Sequence, residues 1–150
     1  MSRFPEGPAA SPGFLLWHVT LAWQRAIAAA LAPLELTHVQ FVLLACTWWL
    51  EGQGQTPNQL DLARQAGTDV KMTSQVVRKL EAKGLLERTI DPDDTRARRL
   101  RPTPEGAALA QMAIAAVEAV DAEFFDGEAD LMTPLLQRLI ALQNAPARQA

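Results

Sequence analysis

The 150-residue sequence contains one cysteine, Cys46, and only two histidines, His18 and His38. A single cysteine excludes an intramolecular disulfide, and without clustered Cys/His spacing a zinc cage is excluded as well. The N-terminal MSRFPEGPAASPG has three prolines and lacks the apolar core of an export signal. No later run reaches the roughly 18 uncharged apolar residues of a membrane span. A free thiol without an export signal places the chain, as an expectation, in the reducing cytoplasm, with no membrane partner. DPDDT lacks the glycine and terminal glutamate of a calcium loop. Ser74, Asp94 and His38 sit in no nucleophile motif, so neither an enzyme nor a bound cofactor is expected. Long internal repeats are also absent.

A general excess of positive charge is missing too: the net charge is −3, which alone argues against a nucleic-acid partner. The average hides a split. Residues 71 to 101 carry nine Lys/Arg against five acids, whereas residues 105 to 130 carry seven carboxylates and no base. One part of the fold should attract polyanions while another repels them. With 49% apolar residues the chain suits one cooperative domain or one protomer of an oligomer.

From Gly13, FLLWHVTLAWQRAIAAALAPL is apolar on most sides, so a helix ending at Pro33 should be buried on several faces, one of them against another subunit. Thr37 can cap a second helix, THVQFVLLACTWWLEG, stopping at Gly52. TPNQLDLARQAG then suggests a short helix with Thr56 as N-cap, Pro57 at the first position, Gln59 completing a capping box and Gly67 at the end. Asp69 caps VKMTSQVVRKLEAK, which Gly84 terminates. Two short helices joined by a tight glycine-containing turn make a helix-turn-helix. On the second of them Thr73, Val77 and Leu80 should face the core with Met72 and Val76 alongside, leaving Lys71, Ser74, Gln75 and Arg78 on the other side.

LLERTI and RRLRPT read as strands of a hairpin around DPDDTRA. The arginines 98, 99 and 101 alternate in direction along the second strand, so two of the three should serve only the sheet surface. Thr103 and Pro104 start a long alanine-rich helix, and Asp130 or Thr133 with Pro134 starts a last one through LLQRLIALQ. The terminal NAPARQA is expected to fray. The fold class is therefore mainly α with a small β-hairpin wing.

LARQAGTDVKMTSQVVRKLEAKGLLERTIDPDDTRARRLRPTPEG resembles the winged helix-turn-helix of the MarR family of bacterial transcription regulators. The resemblance covers residues 60 to 106; its most specific parts are LEAKGLLER and the wing DPDDTR, followed by Thr103 and Gly106. It implies a protomer whose residues 56–103 bind DNA and whose helices within 13–50 and 104–143 form a homodimer and an effector site. A recognition helix can enter the major groove, and an arginine-bearing hairpin tip suits the narrow minor groove, whose negative potential attracts guanidinium. In the family an Asp-x-Arg pair shapes the wing and sends its Arg into the minor groove; here those positions are Asp94 and Arg96. The expected DNA-binding set is Lys71, Thr73, Ser74, Gln75, Arg78, Arg96 and Arg98. Position 75 is often basic in the family; a Gln can instead bond adenine through both amide atoms.

Trp17, His18, Trp23, His38, Trp48 and Trp49 concentrate on the first two helices, where tryptophan supplies much apolar area for core and dimer packing. The resemblance adds a second use, a pocket for a small aromatic or phenolic effector, with Trp17, His18, Leu21, His38, Trp48 and Trp49 as its expected lining. Cys46 matches no sensor position and is expected to be a buried small residue. The function expected is a homodimeric repressor released from a pseudo-palindromic operator by its effector. The alternative is a winged-helix protein-interaction module without sequence-specific DNA binding.

Overall fold

The structure, a computed structural model, describes residues 3–146. Helix α1 (Pro12–Leu31) starts at Ser11, whose hydroxyl accepts from the Phe14 amide, and runs into a 3-10 turn, Ala32–Leu34. Glu35 takes the left-handed conformation there and turns the chain. Helix α2 (His38–Gly52) opens with a complete capping box between Thr37 and Gln40. Helices α3 (Gln59–Ala66) and α4 (Val70–Ala82) follow, then strands β1 (Leu86–Ile90) and β2 (Arg98–Pro102), paired antiparallel from Leu86 opposite Pro102 to Ile90 opposite Arg98. Helices α5 (Pro104–Phe125) and α6 (Ala129–Asn144) complete the chain.

One core joins all but the last of these elements. Ile27 and Leu31 of α1, Leu43 and Leu44 of α2, Leu62 of α3, Val77 and Leu80 of α4, and Leu100 of β2 form it, with the small Ala110 and Ala113 of α5. Those alanines let α5 lie close against α1 and α2. Each fully buried leucine contributes about 1.5–3 kcal/mol relative to an exposed one. By contrast, α6 buries no residue within the chain.

Several expectations need correction. The cap of α3 is Asn58, not Thr56, and its box partner is Asp61, not Gln59. Thr56 and Pro57 stay outside the helix because β2 uses their carbonyls: Leu100 N donates to Pro57 O at 2.8 Å and Arg99 Nη1 to Thr56 O at 2.8 Å. Met72 is exposed rather than in the core. α6 begins at Ala129, so Pro134 lies inside it instead of starting it. The chain enters this helix straight from the turn at Asp126 and Gly127, where both residues have positive φ.

The segment Pro12–Leu34 is, by length and composition, apolar enough to cross a membrane, with mean hydropathy 1.2. The expectation of no such segment counted uncharged runs alone, and Arg25 interrupts this one. In the fold, α1 instead packs on α5 and α2 and closes the core with Ile27 and Leu31. Most of the NAPARQA tail, residues 147–150, lies outside the described residues.

Candidate nucleic-acid interface

The two helices of the helix-turn-helix meet through residues 67–69. Gly67 sits at φ 70, where a Cβ would be strained, and ends α3. The Asp69 carboxylate accepts from Met72 N at 2.7 Å and starts α4. The turn is locked by hydroxyls: Thr73 Oγ1 donates to Asp69 O at 2.7 Å, which leaves Thr68 Oγ1 to donate to Thr73 Oγ1, also at 2.7 Å. Thr73 is therefore wholly buried with its hydrogen bonds satisfied, and the expectation that it touches DNA is corrected: it holds the turn instead.

At 100° per residue, Lys71, Ser74, Gln75 and Arg78 fall within an arc of about 100° on α4, opposite Thr73, Val76, Val77 and Leu80. Lys71, Gln75 and Arg78 are exposed and Ser74 is half-buried, while the four opposite are all buried. Among the described residues the side chains of these exposed three make no hydrogen bond or ion pair. Lys79, beside this face, is likewise exposed. Lys83 ties the end of α4 to the α1–α2 junction through Glu35 O and through Gln40 Oε1 at 3.1 Å.

The wing tip is built by aspartates. The Asp94 carboxylate accepts from Arg96 N at 3.0 Å and its carbonyl from Ala97 N at 3.0 Å, closing a turn that throws the exposed Arg96 side chain outward. Arg98 is exposed but folds its Nη1 back onto the carbonyls of Thr95 (3.0 Å) and Ala97 (3.2 Å). Arg99 and Arg101 point to the protein. Arg99 Nε meets Asp91 Oδ2 at 2.8 Å, and Arg101 pairs with Glu51 at 3.0 Å and Glu87 at 3.6 Å. The Asp93 amide, and then the hydrogen bond and charge of Arg99, hold the Asp91 carboxyl below its ordinary range against the opposing effect of burial. Sequence reading missed the Asp91–Arg99 pair. The period-2 alternation along β2 says that Arg99 and Arg101 share a face, but nothing local says what lies under it.

A second set of contacts binds the wing to the helices. Thr103 caps α5 by accepting from Gly106 N at 3.0 Å, while its hydroxyl donates to Gly84 O at 2.6 Å and its amide to Leu85 O at 3.1 Å. Gly106 lies so close that a Cβ there would stand 1.9 Å from Leu85 O. The spacing from Gly84 to Thr103 and Gly106 thus has a physical cause: the residues that follow α4 and the start of α5 touch backbone to backbone.

The expected effector residues do not converge within one chain. Trp17 and His18 are exposed near the start of α1, His18 edge-on to Phe14 at 4.6 Å, and Leu21 is half-buried. His38 stands edge-on to Trp23 at 5.1 Å, and Trp23 donates to Asp121 at 2.8 Å. Burial lowers the His38 pKa, against the raising effect of the Asp121 charge, which favours the neutral imidazole. His38 lines a cavity of about 270 Å3 with Gln24, Val39, Val42, Ala66 and Thr68. Trp48 and Trp49 line a different one, about 340 Å3, with Cys46, Ile114 and Glu118. Burial pushes the Cys46 thiol up, away from the reactive thiolate. Among the described residues no cluster of His, Cys, Asp or Glu could hold a metal.

A helix-turn-helix with a free cationic face, followed by a hairpin presenting arginine, defines a winged-helix transcription regulator. Comparisons with known proteins give the family. The model described as the MarR family matches residues 36–97. An HTH-type transcriptional regulator of Bacillus subtilis, YdcH, is 45% identical over 124 residues, covering 83% of this chain and 84% of that one. The HTH-type transcriptional repressor Rv2887 of Mycobacterium tuberculosis is 34% identical over 110 residues, 73% of this chain and 76% of its own. CouR from Rhodococcus jostii, solved bound to p-coumaroyl-CoA, superposes with a TM-score of 0.80 at 28% identity, over 96% of this chain and 99% of that one. The chain belongs to the MarR family of transcription regulators, which are not enzymes.

Proposed function

We propose that the chain works in the cytoplasm as a homodimeric repressor that binds a pseudo-palindromic operator and leaves it when a small aromatic or phenolic ligand binds. The observation that carries the DNA-binding part is the unpartnered polar face of α4, with Lys71, Ser74, Gln75 and Arg78, beside a wing whose Arg96 is thrown outward. Residues 56–103 are its DNA-binding part, and the helices within 13–50 and 104–143 its dimerisation and effector part. Repression is supported by the mycobacterial relative named as a repressor, and ligand response by CouR with its p-coumaroyl-CoA.

Dimer geometry belongs to the mechanism, because two recognition helices must lie about one DNA turn apart to read two half-sites. The cavity holding His38 also holds Thr68, whose hydroxyl bonds the buried Thr73 of the recognition helix. A ligand there presses directly on the turn that orients α4, and linkage makes ligand and DNA mutually antagonistic. Burial that disfavours the charged form of His38 suits a phenolic hydroxyl better than an ion pair.

Gel shifts on the DNA flanking its own gene, with random competitor, test the reading. Sequence-specific binding is expected, and Arg96→Ala should weaken it by about 1–3 kcal/mol without lowering Tm. Weak binding that random competitor abolishes, as for a protein-interaction module without sequence specificity, contradicts it. Unchanged affinity in Arg96→Ala removes the wing from it.

A further inference from the structure

A two-stranded hairpin is marginally stable alone, so something beyond its own pairing must fix its pose. Packing does this only at the root. Leu86, Leu100 and Pro102 are buried there, whereas Ile90, the last residue of β1, is 62% exposed and residues 92–96 are all exposed. Between the root and the tip lies Asp91, the only carboxylate among the buried residues described.

Asp91 is held from three directions. One oxygen accepts from Asp93 N at 2.9 Å, the other from Arg99 Nε at 2.8 Å, and its own amide donates to Ala97 O at 3.3 Å across the neck of the turn. Arg99 carries the restraint off the wing. Its Nη1 donates to Thr56 O at 2.8 Å and stands 3.9 Å from Asp61 Oδ2 on α3. These groups line one wall of a cleft of about 430 Å3 between α3 and the wing.

Resting on the reading of the chain as a DNA-binding regulator, we propose that Asp91 and Arg99 are positioning residues: a clasp from the wing's neck to the entry of α3 that sets where Arg96 is presented. Arg99 does this without touching DNA, because Nε and Nη1 face the protein. The buried carboxylate fits the role. A charge-assisted hydrogen bond sheltered from water is stronger and more directional than an exposed one. An arginine suits the role because its rigid planar fork presents Nε to the carboxylate and Nη1 to the carbonyl in a fixed geometry, which a flexible ammonium does not.

Two measurements on full-length protein test this. Residual dipolar couplings of the amides of residues 91–97 report the wing's orientation relative to α3 and α4 and need no DNA. In Arg99→Met these couplings should shrink at least about two-fold, as motion averages them, while those of α3 and α4 stay put. Unchanged wing couplings overturn the proposal. The second measurement uses duplexes selected by the wild-type protein from a random pool. Arg99→Met should weaken binding about ten-fold or more, with Arg96→Ala adding little on top, since Arg99 acts through Arg96. Losses that multiply independently overturn the clasp. If Arg99→Met fails to fold, Asp91→Asn, of equal size, takes its place in both measurements with the same expectations. Should the wild type select no duplex, the reading of function fails and the couplings alone decide the clasp.

Discussion

At the residue scale, the distribution of partners separates side chains that hold the fold from those left for a ligand. Of the four arginines between residues 96 and 101, Arg99 and Arg101 are committed to carboxylates, Arg98 bonds only carbonyls of its own turn, and the Arg96 side chain has no partner among the described residues. Identity alone could not sort them, since the partners of Arg99 and Arg101 at Thr56 and Glu51 are 43 and 50 positions away. On α4 the sorting was legible, because the 3.6-residue period assigns both faces without knowledge of what covers them; only Thr73, polar yet on the core side, was placed with both. Gln75 and Arg98 should differ in kind. Gln75→Ala removes an exposed amide able to bond a base edge and should change which base is preferred in a half-site. Arg98→Ala removes a charge near the backbone and should weaken every duplex alike and flatten the salt dependence by about one unit of slope. Affinities for a panel of single-base operator variants at two or more salt concentrations separate them. Uniform loss in both mutants would deny base readout to the helix.

At the element scale, helix ends were legible where a short-range signal decides them and obscure where a distant segment does. Thr37, Asp69 and Thr103 are caps as expected, each satisfying an amide three residues on. Thr56 fails as a cap because a strand 43 positions later claims its carbonyl. Gly106 is the reverse case: its sequence signal was a spacing, and its cause is the backbone of Leu85. Gly106→Ala would put a methyl group 1.9 Å from that carbonyl oxygen, which no side-chain rotation relieves. Overpacking of this kind should cost about 2–3 kcal/mol and lower Tm by roughly 5–10 °C. Gly52→Ala is the control, since nothing lies within 4 Å of a Cβ there, and should stay within about 0.5 kcal/mol. Calorimetry of the two variants decides. Equal stabilities would mean that α5 can slide on Leu85, and the backbone contact would lose its place as the link between α5 and the recognition helix.

At the scale of the whole molecule, the chain leaves too much apolar surface uncovered for a lone protomer. Leu131, Leu135, Leu139 and Leu142 run along α6 at i, i+4, i+8 and i+11, all exposed, and Phe14, Leu15, Leu16 and Trp17 are exposed at the start of α1. Patches of this kind on soluble chains are normally covered, and a two-fold axis lets one patch cover its own copy. The apolar run of α1 signalled this from sequence; α6 did not, because its pattern looks like that of a core helix until the core is seen to close without it. Truncating α1 cannot test the proposed dimer, since Ile27 and Leu31 close the protomer's own core. Charges on α6 can, because α6 buries nothing within the chain. The double variant Leu135→Glu, Leu139→Glu should keep wild-type helical circular dichroism yet sediment as a monomer of 16.4 kDa. Its affinity for a two-half-site operator should fall toward that for an isolated half-site, because the second recognition helix is no longer held at the required spacing. A variant that still sediments as a dimer would remove α6 from the interface and leave α1 to form it alone.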